Sequence, residues 1–330
     1  MGYVLGMDAG GTKSHLVLFD TDGRLAGTAV WGTLNHEMLP GSFTQLKEEL
    51  GRFVAAGLSP LSLFAGDVDC AVFGVAGADT LEQHDIIGNI IAGIGFARYH
   101  LYNDAFLGIP AGSPDGAGIC AINGTGATLA GIDHAGRRLQ IGGIGDLSDD
   151  RAGAGYLGLR VLSAVYTSLF REGPRTLLAD RVMAQLNVTD KAAYVEALTT
   201  QINDGRMDVA RLNRLLFECG EQGDAVSLAM LEEMAENYAG AIRCMAREMA
   251  FRPDREIHVT LAGSVFVKEP SPLLRDMLSR RVCGAMPERA FSFTKLEIPP
   301  VGGAVLWGFK KLGLNHLRDK VAEQLRELRL

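Results

Sequence analysis

The chain has 330 residues, of which 47% are hydrophobic and 22% are charged, and its formal net charge is −7 at pH 7. This composition is typical of a globular protein, the length favours two domains, and the acidic balance argues against a nucleic-acid partner. We find no apolar run long enough to span a membrane and no secretory signal at the N-terminus. The five cysteines are scattered without a Cys-x-x-Cys pair, which indicates a reduced, cytoplasmic protein.

Three short strands are predicted at the start of the chain. Apolar and β-branched runs at 3–7, 14–20 and 25–31 are joined by two turns. The first turn contains two adjacent glycines, and a strand rather than a helix follows it. This order excludes both the Walker loop and the dinucleotide fingerprint, because each requires a helix N-terminus directly after the glycines.

The first turn nevertheless has the chemistry of a phosphate site. The backbone N–H groups around Gly10 and Gly11, the Thr12 hydroxyl and the Lys13 ammonium can surround a phosphate. Asp8 ends the preceding strand, where its carboxylate can hold Mg²⁺ directly or through water. The alternative interpretation is an ordinary glycine-rich hairpin turn.

Helices and strands alternate beyond the third strand. Apolar periodicity predicts two helices and two strands, over 40–56, 71–75, 81–94 and 100–102. Thr80 is a suitable N-cap for the second of these helices. The order predicts an α/β fold in which helices cover a mixed sheet. A Gly- and Pro-rich segment at 107–118 is predicted to be a loop or hinge.

The opening pattern recurs after this segment. An apolar strand at 117–123 leads into Gly124-Thr125-Gly126, a return strand follows at 127–133, and a further strand is predicted at 137–141. Two copies of strand, glycine-threonine turn and strand suggest two related domains that face each other. Their turns could then close on one polyphosphate from both sides.

The rest of the chain is predicted to be mainly helical. Most of 154–250 has helical periodicity, and the long amphipathic helix over 224–249 has an apolar stripe that fits a core. The remaining strands and helices are predicted over 257–261, 273–283, 291–294, 304–312 and 316–328. Gly263 follows the first of these strands, where a residue without a side chain lets the backbone turn tightly against a flat ligand.

Four blocks, in this order, resemble the actin-like ATPase superfamily of sugar kinases, Hsp70 and actin. Within it, the chain is similar to the N-acetylglucosamine kinase and BadF/BadG/BcrA/BcrD-type group. The blocks are DAGGTKS at 8–14, INGTGATLAGID at 122–133, LAGSVF at 261–266 and PPVGGAVLWG at 299–308. The resemblance implies two ribonuclease-H-like domains, each with a mixed β-sheet, and ATP and Mg²⁺ in the cleft between them. We place the N-terminal domain at 1–112 and 314–330, and the C-terminal domain, with a helical insertion, at 113–313.

The resemblance also implies roles for individual residues. Thr12 and Thr125, with the glycines beside them, would contact the ATP phosphates, and Gly263 and Ser264 would border the adenosine. Asp104, at the end of its strand, would be the general base, since a carboxylate about 2.6–3.2 Å from a sugar hydroxyl can take its proton. The alternative is that Asp104 only caps the next helix.

The expected sugar site combines residues from both predicted domains. Asn35-His36 resembles the Asn-His pair of N-acetylglucosamine kinases, and Asn103 lies beside the expected base. Gly143-Ile144-Gly145 resembles a loop that has Trp in that group, and Asp150 best fits the Asp of its Gly-Asp-Glu-Gly-Ser segment, whose Glu is missing here. Asn35 has the alternative interpretation of a turn residue.

The function that this pattern favours is ATP-dependent phosphorylation of N-acetylglucosamine at its 6-hydroxyl. Glucosamine, N-acetylmuramic acid and glucose are alternative substrates. Two other functions stay open: an ATPase that drives electron transfer through a [4Fe–4S] cluster held between subunits, and a nucleotide-switched sugar sensor. We expect the protein to form a homodimer and to bind a small sugar as its substrate.

Overall fold

The computed structural model describes residues 2–329. Their contacts divide them into two compact units, one formed by residues 2–120 and 296–329 and the other by residues 121–295. The sequence instead placed the two boundaries at 112/113 and 313/314. The C-terminal difference concerns the helix Pro300–Lys311, which packs against the strand Tyr3–Ala9 and so groups with the first unit.

Ten strands are present in the described residues, five in each of two sheets. They are β1 (Tyr3–Ala9), β2 (Ser14–Asp20), β3 (Leu25–Trp31), β4 (Cys70–Val75), β5 (Tyr99–Tyr102), β6 (Gly118–Asn123), β7 (Ala127–Ile132), β8 (Arg138–Gly142), β9 (Ile257–Ala262) and β10 (Phe291–Lys295). The first sheet has the order β3-β2-β1-β4-β5, and the second has the order β10-β9-β6-β7-β8.

Twelve α-helices are present in the same residues. They are α1 (Ser42–Leu58), α2 (Leu81–Ile94), α3 (Gly108–Gly112), α4 (Ala154–Phe170), α5 (Leu177–Gln185), α6 (Lys191–Asn203), α7 (Val209–Glu221), α8 (Ala225–Glu248), α9 (Ser264–Lys268), α10 (Leu273–Ala285), α11 (Pro300–Lys311) and α12 (Arg318–Glu327). None of the helices within residues 2–329 combines the length and hydrophobicity that a bilayer-spanning segment needs.

Both sheets are mixed, which confirms the predicted α/β class. In the first sheet, β1 runs antiparallel to β2 and parallel to β4, and β5 runs parallel to β4. In the second sheet, β9 and β10 are parallel and β7 and β8 are antiparallel. Because β1, β4 and β5 are parallel, the residues that follow them lie at the same edge of the first sheet.

The first sheet is buried on both faces. Side chains alternate along β1, so that Leu5 and Met7 point to one face and Val4 to the other. The face covered by α1 and α2 buries, among others, Leu5, Met7, Leu16, Leu50, Phe53 and Ile87. The other face is covered by α11 and α12 and buries, among others, Val4, Val17, Val301, Val305, Phe309 and Leu325. These two cores hold the strand ends of this unit in place.

The second unit is built around α8, which confirms the long helix predicted over 224–249. This helix of 24 residues is about 36 Å long and packs against α7 and α10. Its predicted apolar stripe is buried, including Leu231, Met234, Tyr238, Ile242 and Met245.

Two local predictions are wrong. The segment predicted as a loop or hinge at 107–118 contains the short helix α3, whose Gly108, Ile109 and Pro110 are buried. Helix α11 begins at Pro300 rather than at 304, because proline is well suited to the first helical position, where its missing N–H group would have no partner.

Candidate functional site

The turn that follows β1 lies at one edge of the first sheet and is bonded to the loop after β3. The carbonyl of Gly10 accepts a hydrogen bond from the backbone N–H of Leu34 at 3.2 Å. Thr12 and Lys13 are exposed, and Asp8 at the end of β1 is half-buried. No hydrogen bond among the described residues uses the backbone N–H groups of Gly11 and Thr12. These donors are therefore available to an anion.

Asp104 lies at the same edge, two residues after the end of β5. It is half-buried and begins a short 3-10 turn whose N-cap is Asn103. The Asn103 side chain is 7% exposed and is fixed at both ends: its Oδ1 accepts from the Ala105 N–H at 2.9 Å, and its Nδ2 donates to Asp79 Oδ1 at 2.9 Å. The helix-capping role weighed for Asp104 thus belongs to Asn103 in the structure.

The carboxylates at this edge influence one another. Burial, and secondly the negative charge of Asp79, raise the pKa of Asp104 from 3.8 to about 6. Burial, and secondly the charge of Asp104, raise the pKa of Asp8 from 3.8 to about 8. The ends of β1 and β5 therefore place Asp8 and Asp104 close enough to interact, as the strand-end argument predicts.

Asn35 and His36 lie in the loop after β3, and their environments differ. Asn35 is half-buried and its Oδ1 accepts from the Glu37 N–H at 2.9 Å, which leaves its Nδ2 group available. His36 is only 6% exposed and stacks on Phe43 with ring centroids 4.0 Å apart. Both contact Gly77, which has φ +81° and where a Cβ atom would lie 2.8 Å from Asn35 Oδ1.

The second unit contains the other glycine-threonine turn, after β6. The Gly124 N–H donates to the Gly126 carbonyl at 2.9 Å, and the Ala154 N–H donates to the Gly124 carbonyl at 2.8 Å. Thr125 and Gly126 are exposed. Asn123, which is fully buried, accepts from the Gly153 N–H through its Oδ1 at 2.9 Å. These bonds fix the turn to the start of α4.

Gly263 brings the end of β9 against this turn. It has φ +85°, and a Cβ atom at this position would lie 2.4 Å from the carbonyl oxygen of Asn123. Only glycine therefore permits this approach of one backbone to another. Ser264 is exposed and begins α9. The structure thus brings Gly124 and Gly263, two positions that the sequence assigned to ATP, next to each other.

The loop at 142–150 is organised by Asp150. Its Oδ2 atom accepts hydrogen bonds from the backbone N–H groups of Gly143 and Gly145, both at 2.9 Å. Ile144, between them, is 63% exposed. Asn237 on α8 fastens the loop by donating to the Asp149 carbonyl at 2.9 Å. Asp150 is accordingly a residue that shapes this loop.

Asp79 and Gln83 also lie at this site, and the sequence pattern did not single them out. Asp79 follows β4, and Asp8 and Asp104 likewise lie at the ends of β1 and β5. This shared position, an acidic residue after a parallel strand, could have identified Asp79 from the sequence. Gln83 accepts from the N–H groups of Asp79 and Thr80 at 3.1 and 2.9 Å, and its Nε2 donates to Glu37 at 3.3 Å. The last bond joins residues 46 positions apart, which no local pattern reveals.

A model of the BadF/BadG/BcrA/BcrD ATPase family matches residues 5–308. Among curated proteins, the chain is 26% identical over 267 residues to an N-acetylmuramic acid/N-acetylglucosamine kinase of Clostridium acetobutylicum, covering 80% of this chain and 86% of that protein. It is 22% identical over 311 residues to an N-acetyl-D-glucosamine kinase of Dictyostelium discoideum, covering 92% and 96%.

Solved structures share the fold. A crystal structure described as a candidate N-acetylglucosamine kinase from Chromobacterium violaceum superposes with a TM-score of 0.64 at 22% identity, covering 93% of this chain and 98% of that one. At this identity the likeness shows that the two proteins share a fold.

Proposed function

We propose that this chain, which belongs to the BadF/BadG/BcrA/BcrD ATPase family, is an ATP-dependent kinase of an amino sugar. N-acetylglucosamine is the proposed substrate and its 6-hydroxyl the proposed acceptor. The names of the two curated relatives support this substrate class. We also propose that the two units are the actin-like domains of the family.

The observation that carries the proposal is the setting of Asp104. It lies at the carboxyl edge of the parallel strands, half-buried, and its neighbour Asn103 is fixed by two hydrogen bonds. A raised pKa of about 6 leaves Asp104 mostly ionised at neutral pH and makes it a better proton acceptor than an ordinary carboxylate. Asp104 would take the proton of the sugar hydroxyl as that oxygen attacks the γ-phosphoryl group.

The residues present fit a polyphosphate. The N–H groups of Gly11 and Thr12 are available as donors, and Thr12 and Lys13 are exposed beside them. In the second unit, Thr125 and Gly126 are exposed in the corresponding turn. Gly263 packs directly against the backbone of Asn123, and we place the adenosine beside it, with the exposed Ser264 at its border.

The residues also fit one magnesium ion with few protein ligands. No group of three or more His, Cys, Asp or Glu side chains in residues 2–329 could hold a metal unaided. Mg²⁺ commonly binds one or two carboxylates together with phosphate oxygens and water. We therefore assign Asp8 as a ligand of the metal ion, whose positive charge would offset the negative charge of the phosphates.

The sugar is assigned to polar groups in each unit. In the first unit, Asn35 has its Nδ2 group available, and His36 lies beside it, stacked on Phe43. Asn103 lies beside the base. In the second unit, the exposed loop 143–145 would contact the sugar, and Asp150 would hold that loop in shape through Gly143 and Gly145.

The test is release of ADP from MgATP across a panel of sugars. The panel contains N-acetylglucosamine, glucosamine, N-acetylmuramic acid, N-acetylmannosamine and glucose. We expect N-acetylglucosamine to stimulate ADP release, and Asp104→Asn to reduce turnover about 10²- to 10⁴-fold. Asp22→Asn, which removes an exposed carboxylate from the turn after β2, is the matched control and should retain turnover. Near-normal turnover in Asp104→Asn would remove Asp104 from the mechanism.

The alternative functions predict other outcomes. An electron-transfer activator would contain iron after anaerobic purification, but Cys70, Cys120 and Cys219 are buried and Cys283 is partly buried. Only Cys244 among the five is exposed. A sensor would bind sugar without turnover. The proposed homodimer is tested separately by light scattering, for which a mass near 71 kDa is about twice the 35.3 kDa of one chain.

A further inference from the structure

Asp79 lies in the loop after β4, with an exposed carboxylate. Its Oδ1 accepts from Asn103 Nδ2 at 2.9 Å, and Asn103 directly precedes Asp104. Asp79 also supplies the largest charge effect on Asp104. A second negative charge therefore stands beside the proposed base, at the place where the first unit would hold the sugar.

Gln83 connects Asp79 to the loop that carries Asn35. Its Oε1 accepts from the Asp79 N–H at 3.1 Å, and its Nε2 donates to Glu37 Oε1 at 3.3 Å. The three segments joined in this way, 33–39, 76–85 and 103–107, contain five acidic residues and no lysine or arginine.

These three segments form one wall of the proposed sugar site, and Gly77 packs against Asn35 and His36 at this wall. His36 is only 6% exposed, and its Nδ1 atom has no hydrogen-bond partner among the described residues. This atom faces Gly77, where a Cβ would approach it to 2.9 Å. Gly77 is therefore packed so closely against both residues that a side chain at this position would displace them.

We propose that Asp79 is a specificity-determining residue that favours uncharged or cationic amino sugars over amino sugars that carry a carboxylate. The proposal rests on the proposed function, because it takes this wall as the sugar site. A carboxylate on the sugar would meet the negative charges of Asp79 and Glu37, whereas an acetamido group would not and an ammonium group would be attracted. Two unit charges about 10 Å apart, at an effective dielectric constant of about 20, change affinity roughly tenfold.

The test compares kcat/KM for N-acetylglucosamine, N-acetylmuramic acid and glucosamine. In the unmodified protein, we expect N-acetylmuramic acid to be at least about tenfold poorer than N-acetylglucosamine. In Asp79→Asn, the new side chain can still accept a hydrogen bond from Asn103. The ratio of kcat/KM for N-acetylglucosamine to kcat/KM for N-acetylmuramic acid should fall about tenfold, and kcat/KM for glucosamine should fall relative to that for N-acetylglucosamine.

The matched control is Asp22→Asn. Asp22 is exposed in the turn after β2, at the end of the sheet away from Asp8, since Asp20 pairs with Tyr3 while Ser14 pairs with Ala9. The Asp22→Asn variant also loses one negative charge, and the ratio of kcat/KM between the sugars should stay unchanged. Raising the salt to about 1 M, where the screening length falls to about 3 Å, should reduce the difference in kcat/KM between the two N-acetylated sugars. This measurement uses the unmodified protein and needs no variant.

Failure of the specificity proposal is distinguishable from failure of the proposed function. Equal efficiency with both N-acetylated sugars, or the same ratio in Asp79→Asn as in the unmodified protein, overturns the role of Asp79 while the kinase function stands. If no sugar is phosphorylated, the proposed function fails, and calorimetric affinities for the same sugars give the selectivity. Equal affinities, or no binding of either N-acetylated sugar, then overturn the role of Asp79 as well.

Discussion

Replacing Asp104 by asparagine should stabilise the fold while it removes activity. The side chain is half-buried beside other carboxylates, and its pKa rises from 3.8 to about 6 because burial and then the charge of Asp79 disfavour the ionised form. Asparagine has nearly the same shape and carries no charge. The variant therefore keeps the packing of this strand end and loses an unfavourable ion.

The size of the effect follows from the two pKa values. A folded-state pKa above the unfolded one means that the folded protein binds the proton more tightly. The resulting stability is fully present below pH 3.8 and is lost as the pH rises through about 6. At about 1.4 kcal/mol for each tenfold change in proton affinity, the loss is about 3 kcal/mol, or about 2 kcal/mol after allowance for partial exposure.

The assay is urea denaturation of both proteins between pH 4 and 7 in buffer free of nucleotide and magnesium. The free energy of unfolding of Asp104→Asn, minus that of the unmodified protein, should increase by about 2 kcal/mol between pH 4 and 7. Asp22→Asn, at an exposed turn, controls for loss of one charge. A difference that stays constant over this range would refute the reasoning, because Asp104 would then ionise as easily in the folded as in the unfolded chain.

Three further predictions concern rate and local structure. The logarithm of kcat/KM should fall with a slope of about one below pH 6, because protonation of Asp104 removes the base; a flat profile from pH 5 to 7 would contradict this role. Gly263→Ala should raise the KM for ATP and lower the free energy of unfolding by about 1–3 kcal/mol, because φ is +85° and the new Cβ would lie 2.4 Å from a carbonyl oxygen. Gly126→Ala is the control, since its Cβ meets no atom within 4 Å, and thermal unfolding should show only a mild loss of stability. Asp150→Ala should raise the KM for the sugar about tenfold, because two backbone N–H groups lose their acceptor, and an unchanged KM would exclude the loop from the site.

Hydrophobic periodicity predicted much of the fold because most elements bury a continuous stripe. Helix α8 and the strands of both sheets were predicted within a few residues, and the Thr80 cap is confirmed by its bond from the Gln83 N–H at 3.2 Å. Helix α3 was missed because its sequence, GIPAG, has the composition of a loop. It is helical in the structure because it packs against α11, a contact between distant parts of the chain.

The candidate site was predictable where it depends on strand ends. Asp8 and Asp104 end or follow β1 and β5, and the parallel pairing brings them together. The burial of His36 against Phe43 and the link from Gln83 to Glu37 were not predictable, because both depend on how separate loops pack. Sequence spacing indicates which residue ends a strand, but it does not indicate which side chain the neighbouring loop will contact.

The most direct test of the central claim is the product formed from MgATP and N-acetylglucosamine. The account predicts ADP and N-acetylglucosamine 6-phosphate in equal amounts, identified by phosphorus NMR, with both lost together in Asp104→Asn. Formation of ADP and inorganic phosphate without a phosphorylated sugar would contradict the claim and assign the chain to an ATPase of another kind.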